Sequence, residues 1–138
     1  MIVDDEPLAR ERLLRLLQAE DSVTRCVTAA NGEEALRRQI DEPADLVLLD
    51  IRMPGLSGLE LAAEWAQQAN PPAIVFCTAY DDYALEAFQV QAVSYLMKPV
   101  KATELHQVLG KASQLNRAQL SALSGADVGP VIALQTGR

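Results

Sequence analysis

Four aliphatic runs along this 138-residue chain each end on a polar residue. Ile2-Val3 runs into Asp4-Asp5, Leu46-Val47-Leu48-Leu49 into Asp50, Ala73-Ile74-Val75-Phe76-Cys77 into Thr78, and Tyr95-Leu96-Met97 into Lys98. Short uninterrupted apolar runs fit strands covered on both faces, as in a parallel sheet between helix layers. Val23 to Ala29 reads as a further strand, closed by Asn31-Gly32. Helix-like patterns fill the intervals. Pro7 stands where a first helical turn tolerates proline, and Leu13, Leu16 and Leu17 follow at helical spacing. Asn31 with Glu34, and Ser57 with Glu60, have capping-box spacing. Tyr83 to Phe88 reads as a short helix opened by Asp81 or Asp82. Thr103 to Ser113 reads as a last helix with Leu105, Val108, Leu109 and Ala112 on one face. Alternating strands and helices predict an α/β fold with a parallel sheet and right-handed crossovers.

In open sheets of this kind the ligand site lies beyond the carboxyl ends of the strands. Three carboxylates (Asp4, Asp5, Asp50), the Thr78 hydroxyl and the Lys98 ammonium would then converge at one sheet edge. That set fits a divalent cation and a phosphoryl group. Asp4 and Asp5 would crowd Asp50, and like charges brought close raise each other's pKa. A bound cation resolves the conflict, and Mg²⁺ needs one or two carboxylates because it keeps several waters. Asp50 precedes a Pro54-Gly55 loop, which puts its carboxylate at the rim. A carboxylate is a weak nucleophile, yet it forms an acyl phosphate once the incoming charge is neutralised. Taken singly, Asp50 would cap a loop, Asp4-Asp5-Glu6 would complement a helix dipole, and Lys98 would be a solubilising charge. Their convergence shifts the weight to the site.

Composition narrows the class. Hydrophobic residues make up 49 % and charged residues 22 %, which is ordinary globular usage. A net charge of −7 disfavours direct binding of this segment to a nucleic-acid backbone. Cys26 and Cys77 both fall in expected strands and read as buried reduced thiols, not a disulfide or metal pair. The sequence shows no signal-peptide pattern or membrane-length apolar run, so the cytoplasm is the expected compartment and no membrane partner is expected.

The segments Val3-Asp4-Asp5-Glu6-Pro7, Leu48 to Gly55, Thr78-Ala79 and Lys98-Pro99 resemble the receiver domain of two-component response regulators, in order and spacing, over roughly residues 1–115. A finer resemblance, to the AlgR/LytTR branch, lies in Phe76 to Tyr80, Tyr83 to Phe88, and Lys111-Ala112-Ser113 with Asn116 to Leu120. It implies a flavodoxin-like, doubly wound five-stranded parallel sheet in order 2-1-3-4-5 with helices on both faces. It also implies that Asp50 is the phosphoacceptor and that Asp5, Asp50 and the Arg52 backbone carbonyl hold Mg²⁺, with Asp4 acting through water. Thr78 and Lys98 would stabilise the phosphoryl group, with the Lys98-Pro99 bond cis. Thr78 and Tyr95 would be switch residues, although core packing explains Tyr95 equally well, and Arg52 and Tyr80 would tune dephosphorylation.

The implied partners are a sensor histidine kinase and a second copy, docked through the fourth helix (83–88), the fifth strand and the fifth helix. The implied activity is limited to the domain's own phosphorylation and slow dephosphorylation. Residues 116–130 read as a linker or frayed helix. Residues 131–138 read as the start of a LytTR-type DNA-binding domain, through which alone the full protein would contact DNA and regulate transcription. Three residues before Asp4 make a short first strand, so the chain reads as clipped at both ends. His106 reads as a surface residue, and Trp65 as core packing or partial exposure on its helix. His106 has no acid in register, and the Arg10-Glu11-Arg12 and Arg37-Arg38 clusters read as solvated faces. Two rivals are a haloacid-dehalogenase-like phosphatase, which wants a second acid where Arg52 stands, and a phosphorylation-independent interaction module.

Overall fold

The computed structural model describes residues 1–79, 92 and 94–113. Five parallel strands, β1 (Ile2–Val3), β2 (Thr28–Ala29), β3 (Leu46–Leu49), β4 (Ala73–Thr78) and β5 (Ser94–Met97), form one sheet in the order β2-β1-β3-β4-β5. Helices α1 (Pro7–Gln18), α2 (Gly32–Asp41) and α3 (Gly58–Ala66) lie between the successive strands β1 to β4, and residues 102–113 form the last helix. The order expected from the resemblance is the observed one.

Alternation along each strand divides the core in two. Val3, Ala29, Val47, Leu49, Ile74 and Phe76 face one side, where they pack with Ala35 of α2 and Leu61, Ala62 and Trp65 of α3. Ile2, Leu48, Val75, Cys77 and Leu96 face the other, against Leu13 and Leu17 of α1 and Leu105, Val108 and Leu109 of the last helix. Both sheet faces are therefore buried, which is why the strands read as continuous apolar runs.

Local chemistry sets the helix boundaries. Pro7 opens α1 after Glu6, whose side chain makes no capping bond. Ser57 and Glu60 make the full reciprocal capping box of α3. At α2 the box is altered: Asn31 Oδ1 accepts from Glu34 N at 2.8 Å, but the Glu34 carboxylate takes the Ala30 N–H, one residue upstream of the cap.

Several expectations need correction. The second strand is assigned over Thr28–Ala29 alone, although Ile2 N still donates to the Val27 carbonyl at 2.8 Å. Cys26 consequently lies outside any strand and is half-buried, while Cys77 in β4 is buried; both are free thiols. Of the two readings of Trp65, packing holds and partial exposure does not: it is fully buried, with its Nε1 unpaired among the described residues. His106 does have an acidic partner, Glu20, whose Oε1 lies 2.9 Å from its Nδ1. That glutamate comes from the loop after α1, so helical register could not reveal it. The expected helix over Tyr83 to Phe88, and the linker and strand of residues 116–138, lie outside the described residues. Among the described residues no helix is long and apolar enough to cross a membrane.

Candidate functional site

The parallel register brings the polar strand ends to one edge. Val3 pairs with Ala29 and Leu49, Leu49 with Phe76, and Thr78 with Met97, so Asp4, Asp50, Thr78 and Lys98 all follow or end neighbouring strands. Backbone bonds lock these exits: Asp4 N donates to the Ala29 carbonyl, Asp50 N to the Val3 carbonyl at 2.9 Å, and Lys98 N to the Thr78 carbonyl at 2.8 Å. The chain crosses Lys98-Pro99 in a cis peptide, as the resemblance implies.

Asp4, Asp5 and Asp50 each offer a carboxylate oxygen, and these oxygens lie within 4.8 Å of one another. Asp4 and Asp50 are buried, and Asp5 is the most open of the three. The Lys98 ammonium reaches into this acidic cup, 2.7 Å from Asp4 Oδ2, 3.5 Å from Asp50 Oδ2 and 3.8 Å from Glu6 Oε1. Asp4 Oδ1 in turn accepts the Glu6 N–H at 2.9 Å. Both Asp4 oxygens are thus engaged by the protein itself, which leaves Asp5 and Asp50 as the carboxylates better placed to ligate a cation directly.

Electrostatics follow from burial and crowding. Burial pushes the Asp50 pKa up to about 6, and the Asp4 charge adds to the rise while Lys98 opposes it. For Lys98, burial works against the charge, but the Asp4 hydrogen bond and the nearby carboxylates outweigh it and its pKa is raised. Burial pushes the Cys77 thiol, next to Thr78, up to about 12, so it is an inert packing group.

Of the remaining candidates, Thr78 is fully buried at the end of β4. Tyr95 is half-buried and packs against the core cluster that holds Phe76 and Trp65. Arg52 is exposed and lines, with Ile51, Met53, Pro54, Ser57 and Leu59, a depression of about 520 Å³ beside Asp50. Tyr80 lies outside the described residues.

Three contributors were not expected. Arg10 and Arg12 are not simply solvated: Arg10 Nη1 donates to the Asp4 carbonyl and Arg12 Nη2 to the Val100 carbonyl, each at 2.7 Å. Gly58 opens α3 against the phosphoacceptor candidate, where a Cβ would fall 2.0 Å from the Asp50 carbonyl oxygen. Only the glycine's place directly after a capping serine hinted at such closeness, and a bond between residues 12 and 100 leaves no local signal.

Comparison with known proteins accords with this geometry. The family model described as the response regulator receiver domain matches residues 1–110, and the chain belongs to that family. The positive alginate biosynthesis regulatory protein of Pseudomonas aeruginosa is 56 % identical over 125 residues, covering 90 % of this chain and 50 % of that protein. The sensory transduction protein LytT of Enterococcus faecalis is 44 % identical over 114 residues, covering 83 % and 47 %. The resemblance to the AlgR/LytTR branch is thereby met, and the chain spans about half the length of these relatives. Among solved structures, the response regulatory domain of mrkE from Klebsiella pneumoniae has a TM-score of 0.76 at 32 % identity, covering 83 % of this chain and 93 % of that one. The response regulator TrrA from Thermotoga maritima, solved with Mg²⁺-BeF, has a TM-score of 0.72 at 40 % identity, covering 80 % and 95 %. As a receiver domain the chain is a regulatory module and not a classical enzyme.

Proposed function

We propose that this receiver domain accepts a phosphoryl group on Asp50 from a sensor histidine kinase and passes the change to a dimerisation surface. The observation that carries the reading is the cup itself: three carboxylate oxygens within 4.8 Å of one another, facing one ammonium. Four acidic groups around one lysine leave an excess of negative charge, which is a cation's place. Mg²⁺ would be held by Asp5, Asp50 and the Arg52 carbonyl, with Asp4 through water, and when bound it supplies charge neutralisation for an incoming phosphoryl group.

The chain's own residues do the rest. An Asp50 carboxylate oxygen attacks phosphorus, the new O–P bond forms as the P–N bond to the donor histidine breaks, and the electron pair leaves with the imidazole. Lys98 offsets charge on the phosphoryl oxygens, and the Thr78 hydroxyl donates to one of them. Arg52 and Tyr80 stand at the positions that would tune hydrolysis of the acyl phosphate. Tyr95, half-buried beside the core, would move as the Thr78 segment closes. The output face would comprise residues 83–88, β5 and the last helix, as a homodimer contact. In the complete protein the output would be DNA binding and transcription control in the cytoplasm, a reading supported by the transcriptional regulatory protein BtsR of Salmonella typhi, 42 % identical over 114 residues.

Incubation with Mg²⁺ and a small phosphodonor tests the site: the wild-type chain should be labelled and Asp50→Asn should not. Label retained at the wild-type level in Asp50→Asn refutes it. A dimer indifferent to Mg²⁺ and beryllofluoride would instead mark a phosphorylation-independent module.

A further inference from the structure

We propose that Arg12 on α1 is a positioning residue for Lys98, so that α1 sets where the ammonium sits in the acidic cup. The inference rests on the reading of Lys98 as a phosphoryl-binding group. Lys98 leaves β5 with its N–H donating to the Thr78 carbonyl at 2.8 Å, and two residues later the Val100 carbonyl accepts Arg12 Nη2 at 2.7 Å. The segment that carries the ammonium is therefore held upstream by β4 and downstream by α1. The Val100 side chain is buried in the same cluster as Leu13 and Leu17 of α1, so the strand exit and the helix pack as one body.

The same helix reaches the other partner. Arg10 Nη1 donates to the Asp4 carbonyl at 2.7 Å. Arg10 braces the backbone of Asp4 and Arg12 that of Val100, two residues beyond Lys98, so α1 reaches both segments that carry the shortest ion pair in the cup. A guanidinium donating to a carbonyl makes a charge-assisted bond with fixed direction, which a lysine's rotating ammonium does not.

Geometry makes the brace matter. Lys98 Nζ stands at 2.7 Å from Asp4 and 3.5 Å from Asp50, so a shift of the 98–100 segment by under about 1 Å changes which carboxylate holds the ammonium. Releasing the Val100 carbonyl frees that shift without touching any acidic residue. The effect should therefore fall on phosphoryl transfer and spare cation binding.

The experiment measures the initial rate of Asp50 labelling by acetyl phosphate at saturating Mg²⁺, together with Mg²⁺ affinity, for wild type, Arg12→Gln, Lys98→Ala, the double variant and Asp50→Asn. Arg12→Gln should slow labelling about tenfold, the loss of one charge-assisted hydrogen bond, with Mg²⁺ affinity changed by less than about twofold. It should add nothing to Lys98→Ala, because the two act through one group. Labelling at the wild-type rate, a parallel loss of Mg²⁺ affinity, or slowing that multiplies with Lys98→Ala would overturn the proposal. Arg12→Lys keeps the charge but not the fork; it should show a smaller loss of the same kind and serves in place of the glutamine variant if that does not fold. Label lost in Asp50→Asn but unchanged in Arg12→Gln removes this inference alone, whereas label retained in Asp50→Asn removes the phosphoacceptor reading beneath it.

Discussion

The Lys98 ammonium lies 2.7 Å from the Asp4 carboxylate, whose side chain is only 1 % exposed. Asp4 would otherwise be a buried anion beside the Asp50 carboxylate, so the lysine acts as an internal counter-ion before any cation arrives. Removing one partner of a buried pair strands the other, a loss of about 3–5 kcal/mol in general. Lys98→Ala should therefore destabilise the metal-free chain by roughly 2–4 kcal/mol, the lower range reflecting a partly open site. Saturating Mg²⁺ should recover part of that loss by supplying positive charge. Urea midpoints with and without Mg²⁺ measure both effects, and a loss indifferent to Mg²⁺ would count against the shared cup.

Proton linkage gives a second expectation. The folded Asp50 pKa, about 6, lies above its ordinary value of 3.8. Between those values the folded state keeps a proton that the unfolded chain releases, so this group's contribution to stability falls as pH rises from 3.8 to about 6 and then levels off. Asp50→Asn should abolish that slope. Cation binding needs the ionised carboxylate, so Mg²⁺ affinity should rise across the same window. Calorimetric titrations at several pH values would expose a flat profile if the expectation is wrong. Lys98, with its pKa raised, contributes the opposite limb: its stabilisation holds below the ordinary value of 10.5 and is lost as pH climbs through the folded pKa.

Two glycines should respond to alanine with opposite signs. At Gly58 the added carbon would fall 2.0 Å from the Asp50 carbonyl oxygen, a backbone atom that cannot turn aside. Gly58→Ala should cost about 2–3 kcal/mol as overpacking does and should weaken Mg²⁺ binding, because Asp50 is what must move. At Gly110 nothing lies within 4 Å of the added carbon. Gly110→Ala, on the exposed side of the last helix, should stabilise by roughly 0.5–1 kcal/mol through helix propensity. Thermal unfolding of the two variants decides the pair.

Ser57 caps α3 and Glu60 returns the bond, at 3.2 and 2.9 Å. Ser57→Ala should lower stability by about 1 kcal/mol. Mg²⁺ affinity should drop measurably less than in Gly58→Ala, since the cap touches no backbone of Asp50. Equal losses of affinity in both variants would contradict the contact described at Gly58.

Much of the fold was legible because its signals are local. Short apolar runs, each closed by a polar residue, announced β1, β3, β4 and β5, and capping residues marked the starts of α2 and α3. The strand over Val23 to Ala29 was overdrawn, because β-branched residues there mimic a strand while the assigned strand covers Thr28–Ala29, with one further backbone bond at the Val27 carbonyl. Glu34 departed from its expected bond because the Ala30 amide stands within its reach. His106 found Glu20 across 86 positions, a partner that no helical period can indicate.

The sequence by itself determined which chemistry was available and on which strand ends it would stand: Asp4, Asp5, Asp50, Thr78 and Lys98, each at the close of an apolar run, in an order that also named the family. Those features depend on local periodicity and on the rule that parallel strands end together. Tertiary structure alone decided the distances. It gave the ammonium to Asp4 in preference to Asp50, put Arg12 on the Val100 carbonyl, and brought Gly58 against the Asp50 backbone. Such contacts join residues far apart in the chain, and the packing of whole elements sets them to fractions of an ångström, a scale on which residue order carries no information.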